Sequence, residues 1–145
     1  MAWATAWATA LLRSNLGGME LTIGRQAEVT VETGPRDTAA ALGSGDVPVL
    51  GTPRLLALAE AATVQALDGA LLPGQTSVGT SVRLEHTAAS PVGMRVTVTA
   101  QLTGVDGRRV TFAVEAVDAG GTVVGLGTVE RVVVDRAKFL ARLPA

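Results

Sequence analysis

The pattern of hydrophobic and polar positions changes its period along the chain, and each change predicts an element. Residues 28–32 alternate between Val and polar side chains, a period of two that predicts a half-buried β-strand. Residues 36–51 are rich in Ala, Gly and Pro, so we expect a loop there, with one helical turn over 38–42. Residues 53–67 are apolar on nearly every side, which predicts a helix that is buried nearly all round.

Four further strands are predicted after this helix, and tight turns separate most of them. The clearest turn is Val105-Asp106-Gly107. Strands joined by tight turns are antiparallel neighbours in a sheet. Residues 135–143 then predict a short amphipathic helix at the C-terminus. The four strands are predicted over residues 76–87, 95–102, 109–117 and 122–134.

The order of these elements predicts the fold. An antiparallel sheet of about five strands must bury one face, and the 53–67 helix is long and apolar enough to fill it. We therefore predict an α+β hotdog fold, in which a five-stranded antiparallel sheet wraps a long central helix and a short helix ends the chain. One such unit would leave much of its helix exposed, so we expect a homodimer, with a higher oligomer left open.

Residues 1–18 differ from the rest of the chain. They repeat the unit AWAT and hold both tryptophans. Spacing of the apolar residues allows a short helix, and the stretch is too short to span a membrane. We predict an N-terminal extension that is poorly ordered or forms a short helix, followed by one hotdog domain over residues 19–145.

Composition argues against several classes of function. The 12 basic and 13 acidic residues nearly balance, so we expect no nucleic-acid partner and no membrane partner. Cysteine is absent, which excludes disulfides, thiolate zinc sites and a cysteine nucleophile and fits a cytoplasmic location. The single histidine leaves a metal short of its commonest nitrogen ligand. We expect no metal and no cofactor.

Glu60 is the most anomalous residue of the predicted central helix. Its neighbours three and four positions away include Leu56, Ala57 and Val64. A carboxylate among apolar side chains is costly unless it is paired or hydrogen-bonded, and such groups cluster at functional sites. The alternatives are that Glu60 meets solvent on one helix face or pairs with an arginine of the core.

His86 is the second candidate. It ends a predicted strand and falls on the same face as the apolar residues before it, so we expect it to face the helix. A single histidine on an apolar face is more often a structural residue than a catalyst. A carboxylate such as Glu60 nearby favours the catalytic interpretation, because it can orient and charge the imidazole. The residues on the predicted face are Val78, Thr80, Val82 and Leu84.

Thr52 precedes Pro53 and is predicted to be the N-cap of the helix. The amide donors and positive dipole at a helix N-terminus also suit a developing oxyanion.

Gly79 predicts a β-bulge or a place where a ligand approaches the backbone. Thr52 and Glu60 are eight residues apart, about 12 Å along a helix, so their side chains cannot touch in one chain. This separation predicts a site at a dimer interface.

Three stretches of the chain resemble one known family. The runs are GTPRLLALAEAATVQAL, SVGTSVRLEHTAASPVG and GLGTVERVVVDRAKF, and they are similar to hotdog proteins of the fluoroacetyl-CoA thioesterase type. The resemblance implies a homodimer that hydrolyses an acyl-CoA thioester, with coenzyme A as part of the substrate. It also implies a catalytic set of Thr52, Glu60 and His86, a backbone contact at Gly79, and Arg131 near the acyl or CoA channel.

Residues 36–51 depart from this family, because they are short and contain no aromatic residue that could form a lid. Specificity for fluoroacetate is therefore not predicted, and we expect a small acyl group. CoA phosphates need cations, and Arg108, Arg109 and Arg131 are the candidates. Two other functions stay open: a non-catalytic dimer that binds acyl-CoA, and an acyl hydratase or dehydratase on the same fold.

Overall fold

The computed structural model describes residues 13–16 and 19–145, with side chains from residue 21 onward. Strand β1 (Arg13–Leu16) pairs antiparallel with β2 (Met19–Thr22) in a two-stranded ribbon. Part of the predicted extension, residues 13–16, is therefore a strand rather than a helix. The prediction for residues 1–12 and 17–18 lies outside the described residues.

The remaining elements follow the predicted order closely. Each strand or helix expected after residue 20 is present, with ends that shift by a few residues. None of the helices in the described ranges is long and apolar enough to cross a membrane. The elements are β3 (Gln26–Glu32), a short 3-10 helix (Pro35–Asp37), α1 (Ala39–Leu42), the central helix α2 (Thr52–Ala66), β4 (Gln75–His86), β5 (Arg95–Asp106), β6 (Arg109–Asp118), β7 (Val123–Asp135) and α3 (Arg136–Ala141).

The main sheet has five antiparallel strands in the order β3-β5-β6-β7-β4, so β3 and β4 are its edges. Tight turns join β5 to β6 and β6 to β7, and these strands are neighbours as the turns predict. Strand β4 comes earlier in the chain than β5 but pairs with β7. The predicted arrangement of a central helix and a five-stranded sheet is confirmed.

One face of this sheet packs against the inner face of α2 and forms the core. Phe112 of β6 is fully buried, and Ala59 and Ala62 let the helix backbone approach the strands closely. Removing an aromatic side chain at such a position typically costs about 3–5 kcal/mol. The core also includes Leu55, Leu58, Val96, Val98, Ala100, Leu102, Val110, Val114, Val129 and Val133.

The opposite face of α2 is not covered in a single chain. Pro53, Ala57 and Ala61 are exposed, and Val64 is 52% exposed. One chain therefore leaves much of the helix exposed, as predicted for a single unit, because one curved sheet covers only one side of it. A continuous apolar strip on a helix is typical of a surface that another protein covers.

The start of α2 also differs from the prediction. Gly51 is the N-cap and Thr52 is the first helical residue, so the predicted cap at Thr52 is wrong. Tertiary packing explains the shift. The Gly51 amide donates to the Asp37 carbonyl at 2.8 Å, and a side chain at Gly51 would come within 2.9 Å of Leu42. The Thr52 hydroxyl is therefore available for another partner.

Candidate active site

Thr52 and His86 form the first of two polar clusters along α2. His86 is the last residue of β4, and its backbone pairs with Gly125 on β7. Its side chain faces the helix, as predicted, and its Nδ1 lies 2.8 Å from Thr52 Oγ1. Either atom can be the donor, depending on the tautomer of the imidazole.

The second ring nitrogen of His86 is buried and has no hydrogen-bonding partner among the described residues. Burial lowers the pKa of His86 below its ordinary value, and the nearby backbone of Ala88 partly opposes this effect. The imidazole is therefore neutral near pH 7. Its Nε2 either offers a lone pair to a proton or carries a proton that it can donate.

Glu60 and Arg131 form the second cluster. Glu60 lies in the middle of α2, and its Oε2 is 3.2 Å from Arg131 Nη1. The Arg131 residue is 6% exposed, whereas the Glu60 side chain is 35% exposed. The carboxylate thus has a buried cation on one side and open space on the other. The open side is where a reactant could approach it.

Ser77 and Gly79 on β4 complete this cluster. Arg131 Nε donates to Ser77 Oγ at 2.9 Å, and Arg131 Nη2 donates to the Ser77 carbonyl at 3.1 Å. A β-bulge interrupts the pairing between Gly79 and Ser81. A Cβ atom at Gly79 would overlap Glu60 Oε2, so the carboxylate lies directly against this backbone. A side chain at Gly79 would displace the Glu60 carboxylate from this position.

The bulge changes which side chains of β4 face the helix. Val82 and Leu84 share the helix-facing side with His86, as predicted, and pair with Val129 and Gly127 on β7. Before the bulge the parity reverses, so Val78 and Thr80 do not lie on that side. Ser77 and Gly79 take their place. Ser77 was missed for this reason, because strict alternation along β4 puts it on the outer face.

The predicted cations have different surroundings. A phosphate-binding role would require Arg131 to lie on the rim of the site. Its guanidinium is instead buried and bonded to Glu60 and Ser77. Burial lowers its pKa, and the charge of Glu60 partly opposes the shift. Arg108 and Arg109, at the turn between β5 and β6, are exposed. These two side chains are accessible to an anion that binds from solvent.

The two clusters do not meet within one chain. Gly79 and His86 are seven residues apart on β4, roughly 23 Å along an extended strand. Thr52 and Glu60 are separated by about 12 Å along α2. Thr52 and His86 are brought together, and Glu60 and Arg131 are brought together. A single chain holds two separate halves of the predicted catalytic set.

A cleft of about 300 Å³ opens beside the Thr52–His86 pair. Its walls include Ala39 of α1, Val49 and Leu50 before α2, and Ala88 after β4. These side chains are small or apolar, and none of the described residues that line the cleft is charged. Such a cleft suits an uncharged group with a few carbons.

Comparisons with known proteins agree with this architecture. A family model described as fluoroacetyl-CoA-specific thioesterase matches residues 33–137. A fluoroacetyl-CoA thioesterase from Streptantibioticus cattleyicolor is 44% identical over 95 residues, which cover 66% of this chain and 68% of that protein.

Solved structures show the same similarity. A variant of the fluoroacetyl-CoA thioesterase in complex with acetyl-CoA superposes with a TM-score of 0.79 and 35% identity, covering 84% of this chain and 96% of that one. A thioesterase superfamily member from Thermus thermophilus gives a TM-score of 0.76 at 31% identity, covering 80% of this chain and 85% of that one.

Proposed function

Because the chain belongs to the fluoroacetyl-CoA-specific thioesterase family, we propose that it hydrolyses acyl-CoA thioesters at sites shared by two copies of the chain. The observation that carries this proposal is the division of the polar residues into two clusters. Thr52 bonds to His86 at 2.8 Å, while Glu60 bonds to Arg131 at 3.2 Å on another part of α2. A second copy supplies the missing half of each site.

The exposed face of α2 and the free edge of β4 support a homodimer. Val64 and its apolar neighbours on α2 are uncovered in one chain, and β4 has one unpaired edge. Residues opposite each other in an antiparallel pair face the same side of the sheet, so two β4 edges can pair about a two-fold axis at Arg83. Because the bulge inserts one residue between Gly79 and Ser81, His86 of the partner subunit then lies opposite Gly79, next to Glu60.

The proposed reaction combines the two halves. Glu60 activates a water that attacks the thioester carbonyl, or attacks that carbonyl itself as the nucleophile, and His86 holds or returns the proton. In both routes a C–O bond forms, the C–S bond breaks, and the CoA sulfur leaves and takes a proton. In the first route that same water supplies the second oxygen of the free acid. In the second route the acyl–Glu60 anhydride is hydrolysed by a water molecule, which releases the free acid and restores the Glu60 carboxylate. Arg131 balances the charge of Glu60 when no substrate is bound.

The start of α2 offers donors for the carbonyl oxygen. The first intrahelical bond is donated by Leu55 to the Gly51 carbonyl at 3.0 Å. The amides of Thr52 and Arg54 precede it, and Pro53 has no N–H group. These two amides and the Thr52 hydroxyl are the proposed oxyanion donors, and the helix dipole adds to their effect.

The acyl group is proposed to occupy the cleft beside Thr52 and His86. Ala39, Val49 and Ala88 leave space for a short aliphatic acyl chain, and the described residues of the lining include no cation that would favour an acidic one. Fluoroacetate specificity is not part of the proposal, because residues 36–51 contain no aromatic side chain. Exposed Arg108 and Arg109 are proposed to meet the phosphates of CoA.

A substrate panel tests the proposed function. Acetyl-, fluoroacetyl-, butyryl-, octanoyl- and benzoyl-CoA are incubated with the protein, and a thiol reagent reports free CoA. We expect turnover to be highest for the short uncharged acyl groups and to fall for octanoyl- and benzoyl-CoA. Tight binding of acyl-CoA without release of thiol would instead support the non-catalytic dimer. A separate incubation with crotonyl-CoA, an enoyl-CoA, would support a hydratase if it gave the hydroxyacyl product with no thiol released.

A further inference from the structure

A second cleft, of about 430 Å³, lies at the end of the main sheet where β7 runs into α3. Its volume exceeds that of the cleft beside Thr52 and His86. Its lining combines three valines of β7, residues 132–134, with polar, charged and aromatic residues. Side chains that line it are Gln75, Arg108, Asp135, Lys138, Phe139 and Arg142.

This cleft is positively charged in a chain whose net charge is −1. Three cations, Arg108, Lys138 and Arg142, face one carboxylate. That carboxylate, Asp135, caps α3 by accepting a hydrogen bond from the Lys138 amide at 2.9 Å. The ion pairs within the described residues involve none of the three cations. Their charge is therefore available to an anionic ligand.

The backbone around the cleft is well fixed. The Arg108 carbonyl accepts a hydrogen bond from the Val133 amide at 2.9 Å, which ties the β5–β6 turn to β7. The Arg136 amide donates to the Gly74 carbonyl at 2.9 Å, which ties the start of α3 to the start of β4. Half-buried Phe139 adds an aromatic side chain to the lining that contains the cations.

The cleft is connected to Glu60 along β4. Gln75 lines both this cleft and a neighbouring groove that also contains Ser77 and the apolar residues Leu71 and Leu72. Ser77 holds Arg131, which pairs with Glu60. Gln75 and Gly79 are four residues apart, so the distance between them is about 14 Å along the strand. The groove leads from a cationic cleft to the candidate nucleophile or base.

We propose that this cleft binds the 3′-phosphorylated adenosine nucleotide of coenzyme A, which places the thioester toward Glu60. The inference rests on the proposed function for its choice of CoA as the source of that nucleotide. Phosphates contact Arg108, Lys138 and Arg142, and the adenine stacks on Phe139. The pantetheine arm, about as long as four extended residues, lies in the groove past Gln75 toward Ser77.

Calorimetric titration tests the cleft without requiring turnover. The probes are CoA, 3′-dephospho-CoA, adenosine 3′,5′-bisphosphate, pantetheine and ATP, each with the wild-type dimer. We expect CoA and the bisphosphate to bind more tightly than dephospho-CoA, since the 3′-phosphate adds a charge-assisted contact. Arg142→Ala and Lys138→Ala should each lower the affinity for CoA by about tenfold, or about 1.4 kcal/mol, and leave the affinity for pantetheine unchanged.

Arg136→Ala is the matched control, because Arg136 is exposed on the same helix but does not line the cleft. It should bind CoA as the wild type does, and all variants should keep the wild-type melting temperature. In turnover assays Arg142→Ala should raise KM with kcat nearly unchanged. This is expected for a contact that stabilises the bound substrate and the transition state equally.

Three results would overturn the inference. CoA affinity equal to wild type in Arg142→Ala and Lys138→Ala would place the nucleotide elsewhere, even if acyl-CoA is hydrolysed normally. ATP binding as tight as CoA would assign the cleft to free nucleotides. If the variants lose affinity for pantetheine as much as for CoA, the substitutions disturb the site as a whole. If adenosine 3′,5′-bisphosphate binds here but no acyl-CoA is hydrolysed, the proposed function fails and the nucleotide site stands.

Discussion

Two polar clusters lie along one helix, and they differ in how their charges are balanced. At the start of α2, the neutral Thr52 and His86 share one hydrogen bond of 2.8 Å, and the far nitrogen of His86 is buried without a partner within the described residues. In the middle of the helix, Glu60 carries a charge that Arg131 balances at 3.2 Å, with Ser77 holding the guanidinium.

This difference indicates complementary roles. The first cluster has a desolvated proton acceptor or donor and free helix amides, but no negative charge. The second has a carboxylate fixed by a buried cation, but no imidazole among the described residues. Each cluster lacks a group that the other has. The proposed reaction uses both clusters, and one chain keeps them apart.

The largest expected effect comes from removing the reactive group of either cluster. Glu60→Gln and His86→Ala should each lower kcat by at least about a hundredfold, because each removes a proton-transfer group or nucleophile. Glu28→Gln on the exposed face of β3 is the control and should keep full activity. Melting temperature is measured on the same variants. Large losses of stability with little change in kcat would make both residues structural.

Ser77 offers a smaller and more specific test of the second cluster. Ser77→Ala removes the acceptor of the Arg131 Nε bond, so Arg131 should hold Glu60 less firmly and kcat should fall by about tenfold. Ser77→Thr, which keeps the hydroxyl, should recover much of the loss. Ser81→Ala, on the exposed face of the same strand, should have no effect. Equal kcat in Ser77→Ala and Ser81→Ala would show that Arg131 does not position Glu60.

The fold and part of the site could be predicted from the chain because they depend on local periodicity. Alternation along 95–102 and the turn at Asp106-Gly107 require no tertiary information, and the apolar 53–67 segment predicts its own helix. The helix-facing side of His86 follows from the parity of Val82 and Leu84. These signals lie within a few residues of the element that they predict.

The rest depends on contacts between distant parts of the chain. Gly51 replaces Thr52 as the N-cap because Asp37 and Leu42 approach it from an earlier loop. The bulge after Gly79 reverses the parity of β4 and brings Ser77 under Arg131. Gly79 is a local signal of the bulge, but it does not give the parity of the residues before the bulge, and the cap has no local signal. Ser77 and the true cap were therefore missed.

Thr52 gives a further test of the first cluster. Thr52→Ala should lower kcat by less than His86→Ala, because the backbone amides at the start of α2 remain as oxyanion donors. Thr52→Ser should be close to wild type. Since Gly51 is the N-cap, Thr52→Ala should also change the free energy of unfolding by less than the cost of about 1 kcal/mol for a lost cap. A full capping cost measured by urea unfolding would contradict the assigned helix start.

The smallest effect concerns the pH dependence of stability. Burial lowers the pKa of His86 in the folded state below its unfolded value of about 6.5, so the unfolded chain binds a proton first as the pH falls. The wild type should therefore lose stability as the pH drops below about 6.5, and His86→Gln should lose less over the same range. Parallel curves of unfolding free energy from pH 7.5 to 5 would show that His86 is not desolvated.

The most direct measurement of the shared site uses a mixed dimer of two inactive variants. Glu60→Gln and His86→Ala chains are co-expressed with different affinity tags, and the mixed dimer is purified through both. If Glu60 of one chain works with His86 of the partner subunit, one of the two sites keeps both residues. Activity should then return to about half of the wild-type value. Activity no higher than that of either variant alone would place the whole site within one chain and contradict the shared arrangement.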